Sequence, residues 1–173
     1  PTHPPSSPAP TGAASAPGAC AVWSPELLGS DFGPDHPMAP ARLDLTMGLV
    51  RALGLLDDDA DLRVVRPEPA SDDVLELVHE PAYVAAVRAA SEHGTPEPAR
   101  GLGTEDDPVF RGMHEAAARI VAGSYEAAGE IAAGRTRHAV NVAGGIGSAV
   151  LRGRALRREV RGRVLAGAGG GRG

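Results

Sequence analysis

The chain of 173 residues contains no lysine, one cysteine and no apolar run that approaches the ~20 residues of a membrane span. The single cysteine, Cys20, excludes a disulfide within the chain and favours a reducing compartment. The first twenty residues have neither a basic start nor an apolar stretch, so they do not predict a secretory signal. These absences together predict a cytoplasmic protein with no membrane partner.

Charge and composition are uneven along the chain. The net charge is −5, yet residues 151–173 carry seven arginines against one glutamate, which leaves −11 for the remainder. Residues 1–19 are rich in Pro, Ala and Ser and predict a disordered leader, and the Arg/Gly-rich residues 147–173 predict a disordered tail. One domain is therefore expected over residues 20–146. The abrupt change at 147 suggests a shifted reading frame, which resequencing the coding DNA would test.

Apolar strands alternate with amphipathic helices between these ends, which predicts an α/β fold with a parallel sheet. Strands are predicted at 19–23, 62–66 and 138–142, and helices at 41–56, 71–78, 81–90 and 112–133. Three strands make a small sheet, so the domain is expected to be incomplete. Its open edges would favour self-association or aggregation.

Two helices carry apolar patterns that predict a buried face. In the first, Leu45, Leu49 and Leu53 repeat every four residues and form a broad stripe with Leu43, Met47 and Val50. In the last, the predicted core face comprises Met113, Ala117, Ile120, Val121, Ser124, Ala128 and Ile131. The predicted polar face of that helix comprises His114, Glu115, Arg119, Glu126 and Glu130.

Two loops are candidate ligand sites. The strand that begins at His138 runs into Gly144-Gly145, and ligands of open α/β sheets lie at the carboxyl ends of the strands. Residues 28–40 contain three prolines and two glycines, which exclude regular structure there. A rigid polar loop after a first strand is a common place for a binding site.

Three ordered motifs resemble the histone deacetylase family, in particular its bacterial acetoin utilisation branch. They are Asp-His-Pro-Met-Ala-Pro-Ala-Arg-Leu at 35–43, Gly-Thr-Glu-Asp-Asp-Pro-Val-Phe at 103–110 and Ala-Val-Asn-Val-Ala-Gly-Gly at 139–145. The resemblance covers the N-terminal part of that domain. It implies a three-layer α/β/α arginase/deacetylase fold. It also implies zinc-dependent hydrolysis of acetyl-lysine or acetylpolyamine amides.

The resemblance assigns roles to four residues. Asp106 matches the loop aspartate that binds substrate, and Arg42 matches an arginine near the acetate channel. His36 and Gly145 belong to the pocket rim. Each has a simpler interpretation that stays open: Asp106 as an acid favoured by a helix N-terminus, Arg42 as a surface arginine and His36 as an exposed or turn-capping histidine.

The chain departs from the family after the Gly-Gly pair. The family has two adjacent histidines there as general base and acid, whereas this chain has Gly147 and Ser148. Glycine cannot transfer a proton, and a serine hydroxyl has no pKa near neutrality. The chain also has no Asp-x-His pair, and no Asp, His or Tyr follows residue 148. We therefore predict no catalytic residue, no metal ligand and no bound zinc.

Other functions fit the same residues less well. Gly145-x-Gly147 after a strand resembles a dinucleotide loop, but Val150 stands where the fingerprint needs glycine. The basic tail could form a non-catalytic module for nucleic acid or an anionic surface, yet it lacks the aromatic residues that stack on bases. The remaining histidines do not have the i, i+4 spacing of helical metal ligands.

Overall fold

Three parallel strands form the sheet in the computed structural model, which describes residues 18–33, 36, 39–57 and 61–144. They are β1 (Ala19–Val22), β2 (Leu62–Val65) and β3 (His138–Asn141), in the order β2-β1-β3. Ala19 is paired with both Leu62 and His138, so the three carboxyl ends lie at one edge. The predicted parallel α/β fold is confirmed.

Four α-helices connect or follow the strands: α1 (Ala41–Ala52), α2 (Asp72–Leu75), α3 (Pro81–His93) and α4 (Met113–Ala132). Short 3₁₀ turns lie at Pro25–Gly29 and Pro98–Arg100.

Two helices are shorter than their sequence patterns predict. The first was predicted to continue to residue 56, but α1 ends at Ala52 because Gly54 takes a left-handed φ of +68° that breaks the helix. The helix predicted over 71–78 is a single turn.

The central strand β1 is the most enclosed of the three. Cys20 and Val22 have no exposed surface, whereas Val64 on β2 and Val140 on β3 are 37% and 50% exposed. Burial raises the pKa of the Cys20 thiol, with a smaller contribution from Glu130. The thiol therefore stays protonated and acts as a core side chain.

Gly123 lets α4 lie directly against the sheet. A Cβ at this position would lie 2.7 Å from Cγ1 of Val22 and 2.9 Å from Nδ2 of Asn141. Both distances are too short for a real Cβ contact, so only glycine fits this crossing. The close approach places α4 over the carboxyl ends of β1 and β3.

The buried face of α4 differs from the predicted one. Its buried residues are Met113, Ala118, Arg119, Ala122, Gly123, Ala127 and Glu130. Ala117 and Ile131, predicted to be in the core, are exposed. The prediction was wrong because it excluded charged residues from the core, and both buried charges here have partners.

Each buried charge has at least one partner from a distant part of the chain. Arg119 Nη1 donates to the carbonyl of Pro67 at 2.9 Å. Glu130 accepts from Arg135 at 2.9 Å and forms an ion pair with Arg63 on β2. Hydrogen bonds and opposite charges make the burial of these groups tolerable.

The predicted stripe of α1 divides between two faces. Leu43 and Met47 are buried in a cluster with Trp23, Leu27 and Ala143. Leu45, Leu49 and Leu53 are 74%, 61% and 63% exposed on the other side. The expectation that these three leucines face the core is wrong, because two apolar repeats run along the same short helix.

Candidate functional site

Asn141 fixes the turn that leaves β3. Its Oδ1 accepts a hydrogen bond from the Ala143 amide at 3.1 Å. Its Nδ2 donates to the Ile120 carbonyl at 3.0 Å and to Ser124 Oγ at 3.1 Å on α4. One side chain therefore shapes the turn and ties it to the helix above. The turn leads through Gly144 to Gly145, which lies outside the described residues.

An aromatic junction joins the first two motif-bearing loops. The rings of Phe32 and Phe110 meet edge to face with centroids 5.6 Å apart, and the ring of His36 lies 4.7 Å from Phe32. Edge-to-face pairs contribute about 0.5–1.5 kcal/mol beyond the burial of area. The contact brings the loop of His36 and the loop of Asp106 together.

The second loop rests on a small apolar cluster. Phe110 and Val109 pack against Ala90, Leu102 and Met113, which join α3 to the start of α4. This cluster supports one side of the aromatic junction.

Hydrogen bonds close the segment that carries Asp106. The Gly103 amide donates to the Asp107 carbonyl at 2.8 Å, and the Asp107 amide donates to Thr104 Oγ1 at 3.1 Å. Gly103 has φ +84°, and a Cβ there would lie 2.4 Å from Cβ of Pro96. Glycine is therefore required for this turn.

The two neighbouring carboxylates of this turn differ in their exposure to solvent. Asp106 is exposed. Asp107 is half-buried, and burial raises the pKa of its carboxyl. The motif assigns a role to Asp106 and none to Asp107, because an Asp-Asp-Pro run carries no signal of which side chain is buried.

The other two predicted residues differ in position. His36 takes part in the aromatic junction, and its amide donates to the Gly33 carbonyl at 3.3 Å. Arg42 lies in the first turn of α1, is exposed, and donates its amide to the Ala39 carbonyl at 3.1 Å. The roles assigned to them by resemblance stay predictions.

The described residues do not fit a zinc ion. No three His, Cys, Asp or Glu side chains in this part of the chain converge closely enough to hold a metal. Zinc in proteins needs three or four such donors around one point.

A shallow cavity of about 410 Å³ lies between α3 and the start of α4. It is lined by Arg88, Ser91, Glu92, Arg111, Gly112, His114 and Glu115. Arg88 pairs with Asp72 at 2.5 Å and lies 3.5 Å from Nε2 of His114. Burial, and secondarily Arg88, lower the pKa of His114. Balanced positive and negative charges in the lining select no single class of ligand.

Comparison with known proteins places these loops in a family. The model of the histone deacetylase domain matches residues 36–148, which include His36, the loop of Asp106 and the turn after β3. The chain belongs to the histone deacetylase family. No helix in the described part of this deacetylase-family chain is long and apolar enough to cross a membrane.

Relatives of this histone deacetylase family member include bacterial and plant proteins. It is 39% identical over 137 residues to acetoin utilization protein AcuC of Bacillus subtilis, covering 78% of the chain and 34% of that protein. It is 36% identical over 99 residues to histone deacetylase 2 of Oryza sativa subsp. japonica, covering 55% of the chain and 19% of that protein. The chain thus spans 34% of the length of AcuC and 19% of the length of the rice protein.

A solved structure supports the same fold. The crystal structure of the HDA15 HD domain superimposes with a TM-score of 0.64 at 18% identity, over 88% of this chain and 44% of that one. The predicted deacetylase-like α/β fold is confirmed.

Proposed function

We propose that this chain carries the substrate-facing rim of a zinc-dependent amidohydrolase domain and that the 173-residue chain is itself catalytically inactive. The substrate class of the complete domain is acetyl-lysine or acetylpolyamine amides. Asp106 is the substrate-binding carboxylate, and His36, Arg42 and Gly145 belong to the rim and the acetate channel. The junction of Phe32 with Phe110 supports this proposal, because it joins two of the three motif-bearing loops.

One observation carries the proposed inactivity. Gly147 and Ser148 occupy the positions where the family resemblance expects two histidines. Amide hydrolysis at neutral pH needs a group that exchanges protons near pH 7 and a centre that activates water. Neither Gly147 nor Ser148 is a proton-exchanging group of this kind. The described residues supply no set of ligands for a metal that could activate water.

The proposed domain limits remain 1–19 for the leader, 20–146 for the deacetylase-like part and 147–173 for the tail. We propose a cytoplasmic location on the basis of the single cysteine, which favours a reducing compartment. The tail and the Gly145-x-Gly147 loop lie outside the described residues. No observation therefore favours the nucleic-acid, anionic-surface or nucleotide-binding alternatives.

A deacetylase assay tests the proposal. The purified chain and a variant carrying Gly147→His and Ser148→His are incubated with zinc and either an acetyl-lysine peptide or an acetylated polyamine. Full-length Bacillus subtilis AcuC is run beside them. We expect both forms of the chain to remain at the buffer background, because restoring the histidines does not restore a metal site. Turnover by the unaltered chain that a chelator abolishes would contradict the proposal.

A further inference from the structure

A hydrogen bond joins the two ends of the long segment that carries Asp106. This segment, residues 94–112, connects the end of α3 to the start of α4, and we call it the α3–α4 connection. Ser91 lies in the last turn of α3, and its Oγ accepts from the amide of His114 in the first turn of α4 at 3.2 Å. The bond therefore closes the connection at its base.

The start of α4 depends on this acceptor because the helix has no cap of its own. The first amides of a helix have no acceptor within it, and the side chain of the N-cap residue usually supplies one. The N-cap residue of α4 is Gly112, which has no side chain and takes a left-handed φ of +83°. Ser91 of the preceding helix supplies the missing oxygen, so α3 fixes where α4 begins.

An apolar contact lies directly beside this hydrogen bond. Ala90 and Met113, the chain neighbours of the bonded pair, pack together with Leu102. Leu102 is 1% exposed, and its carbonyl accepts from the Glu97 amide at 3.0 Å. The turn closed by Gly103 begins at the next residue. The base of the α3–α4 connection and the turn that carries Asp106 are therefore held at one point.

Burial makes the serine a stronger constraint on this joint than the ion pair next to it. The side chains of Arg88 and Asp72 are 43% and 42% exposed, and exposed ion pairs contribute little to stability. Ser91 is 7% exposed. Removing its oxygen leaves the His114 amide without an acceptor in a partly buried position, which is costly.

We propose that Ser91 is a positioning residue, which holds the start of α4 and thereby fixes the turn that presents Asp106. This inference rests on the proposed function, in which Asp106 binds the acetylated substrate. Ser91 acts through the backbone of the α3–α4 connection. Without its hydroxyl the connection opens locally more often, and only the molecules that keep the turn closed bind substrate.

Amide hydrogen exchange in the full chain tests the local part of the proposal. The amides of Gly103 and Asp107 donate within the turn, so they report its opening. We expect both to exchange about 3–10-fold faster in Ser91→Ala. Ser91→Thr keeps the hydroxyl, and position 91 lines the shallow cavity, which leaves room for a methyl group. It should restore the slow exchange.

Ala127→Gly is the matched control for a general loss of stability. Ala127 is buried near the far end of α4, and glycine there weakens the same helix without touching its start. This variant should leave the exchange of the Gly103 and Asp107 amides unchanged. A serine that only added to overall stability would give the same result in Ser91→Ala and Ala127→Gly.

Titration with an acetyl-lysine peptide tests the link to the substrate. We expect Ser91→Ala to weaken binding about 3–10-fold, Ser91→Thr to restore it and Ala127→Gly to leave it unchanged. Exchange at Gly103 and Asp107 that stays slow in Ser91→Ala would overturn the inference. Equal acceleration in Ala127→Gly, or a Ser91→Thr variant that behaves like Ser91→Ala, would also overturn it.

The two measurements separate this inference from the proposed function. If no form of the chain binds the peptide, and Ser91→Ala still accelerates exchange at Gly103 and Asp107 alone, the substrate role of Asp106 is wrong and the positioning of the turn by Ser91 is confirmed. If the unaltered chain binds the peptide and Ser91→Ala binds it equally well, the substrate role can stand and the positioning role is wrong.

Discussion

At the scale of single residues, Gly123 sets how closely α4 approaches the sheet. Gly123→Ala puts a methyl group 2.7 Å from Val22 and should lower the free energy of unfolding by about 1–3 kcal/mol. Gly48→Ala is the matched control, because it is also within a helix but meets open space. It should raise the free energy of unfolding by up to ~1 kcal/mol. Urea denaturation measures both, and equal shifts would contradict the crossing described.

Asp106 offers a second test at this scale. We predict that an acetyl-lysine peptide titrated into the labelled chain perturbs amide resonances around residues 103–110. Asp106→Asn should weaken this binding about 10-fold, because a charged hydrogen-bond acceptor becomes neutral. Glu105→Gln is the control, since it removes the same charge from the neighbouring exposed residue. If the two variants bind the peptide equally well, the substrate-binding role proposed for Asp106 is wrong.

The lowered pKa of His114 predicts that the stability of the folded chain depends on pH. Its pKa is lowered in the folded chain, chiefly by burial and then by Arg88. The unfolded chain therefore binds a proton at a higher pH, near ~6.5, than the folded chain does. Stability should fall as the pH drops below that value and level off below the folded pKa. The side chains of Asp72, Glu92 and Glu115 also contribute to the charge around the ring.

Comparing unfolding at pH 8 and pH 5 in the unaltered chain and in His114→Gln isolates this contribution. The unaltered chain should lose more stability than the variant between these two values. Parallel losses would show that His114 titrates as it does in the unfolded chain.

At the scale of elements, the order and kind of the helices and strands could be predicted, whereas the orientation of the helices could not. Apolar runs bounded by Pro and Gly identify β1 and β2 from local sequence alone. The inward face of α4 depends on Arg63, which pairs with Glu130, and on the Pro67 carbonyl, which accepts from Arg119. Both partners are remote in sequence, so periodicity alone placed these charges on the wrong face.

Arg119 allows a test of how α4 is anchored. Arg119→Leu leaves the Pro67 carbonyl without its donor, and we expect a loss of about 1–3 kcal/mol in the free energy of unfolding. Arg111→Leu is the control, because Arg111 is exposed and should change stability by no more than about 0.5 kcal/mol. Thermal and urea unfolding measure the two variants. Similar small effects would mean that the buried guanidinium does not anchor α4.

At the scale of the whole molecule, contiguous motifs identified the family and its fold, but the assembly of the site required the structure. The pairing of Phe32 with Phe110 joins loops far apart in the chain, and no sequence spacing indicates it. The inward position of Asp107 likewise depends on the turn closed by Gly103. Motifs within one segment can be predicted from sequence, whereas contacts between segments depend on the fold.

The central claim is that the chain holds the rim of a deacetylase domain without its metal-dependent chemistry. Equilibrium dialysis against zinc, followed by elemental analysis of the protein, tests this claim without relying on turnover. We predict zinc far below stoichiometric amounts and no dependence on Asp106. Stoichiometric zinc retained by the folded chain against a competing chelator would contradict the claim.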